Sequence, residues 1–139
     1  MKKEKKQFCF KINSFYEAKK TIKICIKHKI VPVIYISYYM IDGFGVNWLI
    51  EFKNLLHKQY NKNDFKFLVS CKQNYGLFIS LVNLKIHFLN VNGNKNTLLR
   101  LEQIAKKNKI SINPKFDILK LYKIKNIEKK LLKLQNYNE

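Results

Sequence analysis

Short apolar segments that favour β-strands alternate along this chain with amphipathic segments of helical periodicity. Strands joined through helices run parallel and are connected by right-handed crossovers, so the alternation predicts a layered α/β domain. We predict about five mostly parallel strands in a small three-layer domain, either flavodoxin-like or half-barrel-like. The predicted strands are residues 7–12, 31–37, 65–71, 85–91 and 110–112.

The helices between these strands are marked by capping residues and by apolar residues at helical spacing. Ser14 and Glu17 form an S-x-x-E capping box, which predicts a first helix that ends near Lys29. Asn74 is expected to cap a helix over residues 75–84. Two further helices are predicted over 48–60 and 96–108, with a loop at 42–45.

The charge of the chain comes almost entirely from lysine. The 139 residues include 28 Lys and Arg against 9 Asp and Glu, a formal net charge of +19, and Arg100 is the single arginine. A surplus of Lys, Asn and Ile is typical of a low-GC genome that fills solvated positions with lysine. One arginine argues against specific base readout, because the planar guanidinium is the usual reader of guanine edges. Nonspecific phosphate binding by lysine stays open, since counterion release needs only positive charge.

The chain changes character after Pro114, where apolar residues recur at helical spacing between lysines over residues 117–134. We therefore divide it into an α/β domain, residues 1–121, and a basic amphipathic C-terminal helix or tail, residues 122–139. Such a helix packs on the domain with its lysines in water, or binds a membrane surface, RNA or a partner helix.

Residues 30–50 are long enough to span a membrane and carry only Asp42 as a charge. Pro32 and the glycines at 43 and 45 interrupt the segment, so we interpret it as strand, loop and helix. The N-terminus lacks the apolar region of a signal peptide. Cys9, Cys25 and Cys71 form no C-x-x-C pair. Reduced thiols and a cytoplasmic location are therefore expected, with no metal ion and no cofactor.

The order of motifs resembles a family of small, uncharacterised bacterial α/β proteins, with similarity over about residues 8–121. The matching pieces are Ser14 to Ala18, Val31 to Ser37, Gly45 with Trp48, Ser70 to Gly76, and Arg100 to Ala105. In the family, an Asp precedes the cysteine and a Gly follows it, where this chain has Ser70 and Lys72. The resemblance implies an α/β fold and brings no established activity.

In open α/β sheets, ligands bind beyond the carboxyl ends of the strands. The candidate binding residues are those that the pattern places at these ends and in the loops after them, namely Ser37, Asp42, Gly43, Gly45, Cys71, Asn74 and Gly76. No catalytic set is recognised, because Asp42 lacks a second carboxylate and no histidine is fixed near Cys71.

Two candidates have alternative explanations. Cys71 lies before a helix N-terminus and beside Lys72, where a thiol pKa is lowered, or it is a buried structural cysteine. Asp42 lines a cleft, or it makes an Asx turn or helix cap. Gly43 and Gly45 give only a weak phosphate-loop signal.

Aromatic residues raise a further alternative. Tyr38 and Tyr39, or Phe8 and Phe10 on one strand face, suit base stacking as well as core packing.

The sequence leaves three hypotheses about function. The first is a non-catalytic binding or regulatory module for a protein partner or small ligand. The second is an RNA- or ribosome-associated protein that binds through its lysines. The third is a small enzyme that uses Cys71 at the carboxyl ends of the strands.

Overall fold

The computed structural model describes residues 7–121 and 126–136, which form one sheet and six helices. All strand pairs are parallel, and the strand order is β5-β4-β3-β2-β1-β6. The predicted α/β class is confirmed, with a sixth strand added. The strands are β1 Cys9–Lys11, β2 Val33–Ile36, β3 Lys66–Lys72, β4 Phe88–Val91, β5 Ser111–Ile112 and β6 Ile118–Lys120. The helices are α1 Phe15–Lys27, α2 Tyr38–Phe44, α3 Val46–His57, α4 Tyr75–Asn83, α5 Lys95–Lys107 and α6 Ile127–Asn136.

The connection between β5 and β6 indicates that the sheet is curved. These strands lie at opposite edges, so a flat sheet would separate them by about 24 Å at the usual strand spacing. The chain from Ile112 to Ile118 reaches about 22 Å even when fully extended. The two edges must therefore curl toward each other. This curvature, together with the sequential order of β1 to β5, fits the half-barrel-like alternative.

The helices cover one face of the curved sheet, and strand side chains point alternately to that face and to the other. The main core joins the helices to the sheet. On the opposite face, Cys9, Val33 and Leu68 form a small cluster. Phe116, in the irregular β5–β6 connection, packs against that cluster with its ring centroid 5.1 Å from that of Phe88. The third layer, on the face opposite the helices, is therefore the stretch of chain between β5 and β6.

The helices α1, α4 and α5 begin at the carboxyl edge of the sheet, where side-chain oxygens cap their free N–H groups. Ser14 Oγ accepts from the Glu17 N–H at 3.1 Å, and the Glu17 carboxylate accepts from the Asn13 N–H. Asn74 caps α4 and Asn94 caps α5 in the same way, at 3.0 and 2.8 Å. The predicted caps at Ser14 and Asn74 are confirmed.

Helices end at the amino edge in a repeated turn. Lys29, Lys85 and Lys109 follow α1, α4 and α5 in the left-handed conformation, with φ of 58°, 60° and 59°. In each turn the next residue is an isoleucine whose N–H bonds back into the last helical turn. This is the Schellman motif, with lysine where glycine is the usual residue. The turn also explains why β4 begins at Phe88 and not at residue 85 as predicted.

The prediction of a loop at 42–45 is wrong, because α2 occupies residues 38–44. Ile41 is 1% exposed and anchors this short helix in the core. Only Gly45, with φ of 90°, breaks the helical conformation. Asp42 is therefore an exposed residue inside α2, and its expected role in an Asx turn or helix cap is also wrong.

The prediction of one helix over residues 117–134 is wrong at its start, where β6 pairs with β1 through Cys9 and Ile118. The open edge of β1 stabilises a strand there, a tertiary effect that local periodicity does not contain. Residues 122–125 lie outside the described part of the chain. The helix α6 itself packs on the domain, since Leu131 is fully buried in the main core.

Residues 30–50 fold as β2, α2 and α3. Among the residues that the structure describes, none of the helices combines the length and the apolar character needed to cross a membrane.

Candidate functional site

A β-bulge at the end of β3 shapes the carboxyl edge of the sheet. The register with β4 shifts between Ser70 and Lys72, so that Ser70 faces Asn90 while Lys72 faces Val91. Lys72 has a φ of 49°, a left-handed conformation that costs a residue with a Cβ about 1 kcal/mol or more. Bulges of this kind re-aim a side chain and are frequent beside functional sites.

The bulge directs the Lys72 ammonium onto two aromatic rings of α2. Its Nζ lies 5.1 Å from the ring centroid of Tyr38 and 4.4 Å from that of Tyr39. Both distances are within the range of cation–π attraction. Tyr38 Oη also donates to Asp42 Oδ1 at 3.5 Å. A cation, two rings and a carboxylate therefore lie together on this side of the site, and Lys72 and Tyr38 are the two of these residues that line it.

The opposite wall is built from the loops that follow β3 and β4. Tyr75 Oη donates to the Asn92 carbonyl oxygen at 2.9 Å, and the Asn92 N–H donates to the Lys72 carbonyl oxygen at 2.9 Å. A Cβ at Gly93 would lie 2.9 Å from Tyr75 Oη, so a side chain there would displace the tyrosine. The loops after β3 and β4 are thus tied to each other.

Between these walls lies an open cleft of about 460 Å³. Its lining is mixed, with slightly more apolar than polar surface, and its polar groups include amides and a single ammonium group. The lining residues are Tyr38, Lys72, Gln73, Asn74 and Asn92. Its volume lies within the range of small-ligand sites.

The residues predicted from sequence are distributed unevenly around this cleft. Asn74 lines it, although its Oδ1 is also the cap of α4. Ser37 precedes α2 and is 8% exposed, and Gly76 lies in the first turn of α4. Gly43 and Gly45 lie at the far end of α2, away from the lining. No Cβ contact requires glycine at position 43, whereas Gly45 needs its positive φ.

Cys71 does not have the reactive environment that its position suggested. Its side chain is fully buried in the main core, and burial raises the pKa of the thiol to about 12. Of the two alternatives for Cys71, the structure supports the buried structural cysteine, because desolvation of the thiolate outweighs the nearby helix N-terminus. Burial raises the pKa values of Cys9 and Cys25 to about 12 as well.

The aromatic pair Phe8 and Phe10 belongs to the main core, 8% and 0% exposed, which excludes it as a stacking surface. Tyr38 and Tyr39 are instead partners of Lys72. Lys72, Gln73 and Asn92 are the cleft residues that the sequence alone did not single out.

The C-terminal helix uses part of its polar surface for contacts with the domain. Glu128 Oε1 lies 2.8 Å from Lys27 Nζ and 2.9 Å from His28 Nε2. These two bonds lower the pKa of the Glu128 carboxyl. Gln135 Nε2 donates to the His28 carbonyl oxygen at 3.5 Å. The described part of this helix therefore behaves as an element of the fold.

In comparisons with family models, curated proteins and solved structures, no match to this chain reaches significance.

Proposed function

We propose that this protein is a non-catalytic module that binds a small polar ligand in the cleft at the carboxyl edge of the sheet. The observation that carries the proposal is the strained Lys72 at the β3 bulge, which lines the cleft. A left-handed lysine costs stability, and strain of this kind is retained where it positions a functional group. Here it places an ammonium group over Tyr38 and Tyr39.

The chemistry of the lining favours binding over catalysis. Side chains of Gln73, Asn74 and Asn92 offer hydrogen bonds and have no pKa near neutrality. Asp42 stands as one carboxylate beside Tyr38, without the second group that acid–base chemistry needs. The buried Cys71 thiol argues against the hypothesis of a cysteine enzyme.

Of the two partners expected for a binding module, the cleft favours a small ligand. Lys72 supplies one positive charge, so the best candidates are small anions with several hydrogen-bonding groups. A protein partner would need a larger continuous surface, of about 800 Å² on each side.

A test is to titrate the protein with a panel of phosphates, nucleoside monophosphates and dicarboxylates while recording ¹⁵N NMR spectra. We expect at least one compound to shift the side-chain amide signals of Asn74 and Asn92. Lys72→Gln should weaken that binding about tenfold, as loss of one charge-assisted bond implies. Lys23→Gln, on the exposed side of α1, is the matched control. Unchanged affinity in Lys72→Gln would contradict the proposal.

A second candidate is lysine-mediated binding of RNA. The observation that favours it is the shortage of acidic partners. In the described ranges 7–121 and 126–136, the lysine ion pair is that of Lys27 with Glu128. Most of the lysines in these ranges are therefore balanced by mobile ions, which a polyanion displaces.

Salt dependence separates this candidate from general charge attraction. Retention of the protein on RNA above about 0.2 M salt would support an RNA-binding function. Loss of retention below that concentration would reduce the effect to counterion exchange.

A further inference from the structure

A second cavity opens at the other edge of the sheet, between α3 and α4. Its volume is about 160 Å³, and most of its lining is aliphatic. Buried cavities of roughly 150 Å³ with similar walls accommodate a benzene-sized body. The lining residues are Leu49, Ile50, Lys53, Asn54, Leu84 and Ile86.

A half-buried lysine belongs to this apolar lining. Lys53 projects from α3, one turn after Leu49, and burial is the main cause that lowers the pKa of its ammonium group. The positive charge of Lys62 lowers that pKa further. A lysine held in an apolar pocket beside another cation is electrostatically unfavourable in the free protein. A bound anion would relieve both effects.

The surroundings of Lys53 are positive. His87, directly before β4, has its pKa lowered to about 4 by burial and then by the charges of Lys66, Lys53, His57 and Lys62. All the charges that act on His87 in the described part of the chain are cationic. The region therefore presents a concentrated positive field to a small anion.

The titratable groups near Lys53 make contacts of their own. His87 Nδ1 accepts from the Phe67 N–H at 3.4 Å, so its neutral ring carries a proton on Nε2. The acidic group in the nearby turn, Asp64, accepts from the Asn61 N–H at 2.7 Å. Lys66 Nζ lies 5.8 Å from the ring centroid of Phe88, on the opposite face of the sheet.

We propose that the cavity between α3 and α4 binds a small apolar carboxylate, with its ring-sized body between the helices and its carboxylate on Lys53. The aliphatic walls select the body, and the ammonium group selects the charge. A simple inorganic anion would make no apolar contacts with the walls, and a neutral hydrocarbon would leave Lys53 without a counterion. The site is independent of the carboxyl-edge cleft, because the two cavities share no lining residue.

The test uses benzoate, its neutral isostere benzamide, and inorganic phosphate as probes of the whole chain. Binding is followed by the backbone ¹⁵N signals of Leu84 and Ile86 and by the rise in melting temperature. We expect benzoate to bind about tenfold more tightly than benzamide, the ratio that one charge-assisted contact gives. In Lys53→Met, which retains the apolar stem, that preference should fall to about one, while Lys23→Met should keep it.

A second variant tests the cavity itself. Ile50→Trp adds bulk to a half-buried lining position and should abolish benzoate binding without affecting signals at Asn74. Three results would overturn the proposal: equal affinity for benzoate and benzamide, phosphate binding as tight as benzoate binding, or shifts confined to Asn74 and Asn92. The last result would assign the anion to the carboxyl-edge cleft instead.

Discussion

At the two edges of the sheet, the free backbone groups of the helix ends are hydrogen-bonded in different ways. At the carboxyl edge, the side-chain oxygens of Ser14, Asn74 and Asn94 accept hydrogen bonds from the first free N–H groups. At the amino edge, the helices close through left-handed lysines whose backbone makes the bonds. Oxygens near helix N-termini and ammonium groups near helix C-termini both match the helix dipole. Part of the net charge of the chain is thus explained by helix termination.

Lys72 differs from the other left-handed lysines. Lys29, Lys85 and Lys109 have left-handed φ because a Schellman turn requires it. Lys72 has the same conformation at the other edge, where no helix ends. A left-handed lysine therefore has a different role at each edge. At the amino edge it closes a helix, and at the carboxyl edge Lys72 lines a cleft.

The largest expected difference between the edges is in core packing. Phe65 is 1% exposed at the amino edge, stacked 4.9 Å from His57 and edge-on to Phe67 at 5.4 Å. We expect Phe65→Ala to lower the free energy of unfolding by about 3–5 kcal/mol in urea denaturation. Phe44→Ala, at the carboxyl end of α2 and 63% exposed, should cost less than about 1 kcal/mol. Similar losses for both would remove this distinction between the edges.

The second effect is a pH dependence at the amino edge. Burial and nearby cations lower the pKa of His87 from 6.5 to about 4. The folded state therefore binds fewer protons than the unfolded state between these values. The stability contributed by neutral His87 is complete above pH 6.5 and is lost as pH falls toward 4.

The loss should reach about 2 kcal/mol, after allowance for the solvent that reaches the partly exposed ring. Chemical denaturation at pH 7 and pH 4.5 measures it. His87→Gln retains an acceptor for the Phe67 N–H and should show a shallower pH dependence. Parallel profiles for the two proteins would mean that His87 does not titrate in this window.

The third effect tests the caps of the carboxyl edge. Asn94 Oδ1 accepts from the Thr97 N–H at 2.8 Å, so Asn94→Ala should lower the free energy of unfolding by about 1 kcal/mol. Asn96→Ala, an exposed position inside α5, should be neutral or slightly stabilising, since alanine is the better helix former. Thermal denaturation of both variants would show whether capping or general polarity matters at this edge.

The smallest expected change in stability distinguishes Lys72 from the left-handed lysines of the amino edge. Lys109→Gly and Lys72→Gly both relieve a positive φ, and each should raise stability by about 0.5–1 kcal/mol, offset in part by the entropy of glycine in the unfolded chain. Only Lys72→Gly should also weaken ligand binding in the cleft. Loss of stability in Lys72→Gly would mean that its contacts with Tyr38 and Tyr39 outweigh the backbone strain.

The sequence predicted those parts of the fold that depend on local chemistry. The capping box at Ser14, the cap at Asn74 and the apolar pattern of the first five strands are all local signals, and each is found in the structure. The strand β6 was missed because three residues, Ile118 to Lys120, carry no periodicity of their own. They become a strand only because β1 offers a free edge.

The candidate site was predicted less completely than the fold. The rule that ligands bind at the carboxyl ends of strands located the edge and included Asn74. The buried alternative for Cys71 follows from strand alternation, since Phe67, Val69 and Cys71 all point into the main core. The amino-edge cavity was out of reach of sequence reasoning, since Lys53, Leu84 and Ile86 meet only through the packing of α3 on α4.

The position of β6 has a consequence for the order in which the chain acquires its structure. The pairing of Cys9 with Ile118 joins residues more than 100 positions apart, whereas β1 to β4 pair with close neighbours in sequence. During synthesis on a ribosome, β1 to β4 can assemble in the order of their emergence. The outer edge of β1 then stays open to intermolecular pairing until the last strand is translated. Synthesis of β6, rather than growth of the core, removes that risk of aggregation.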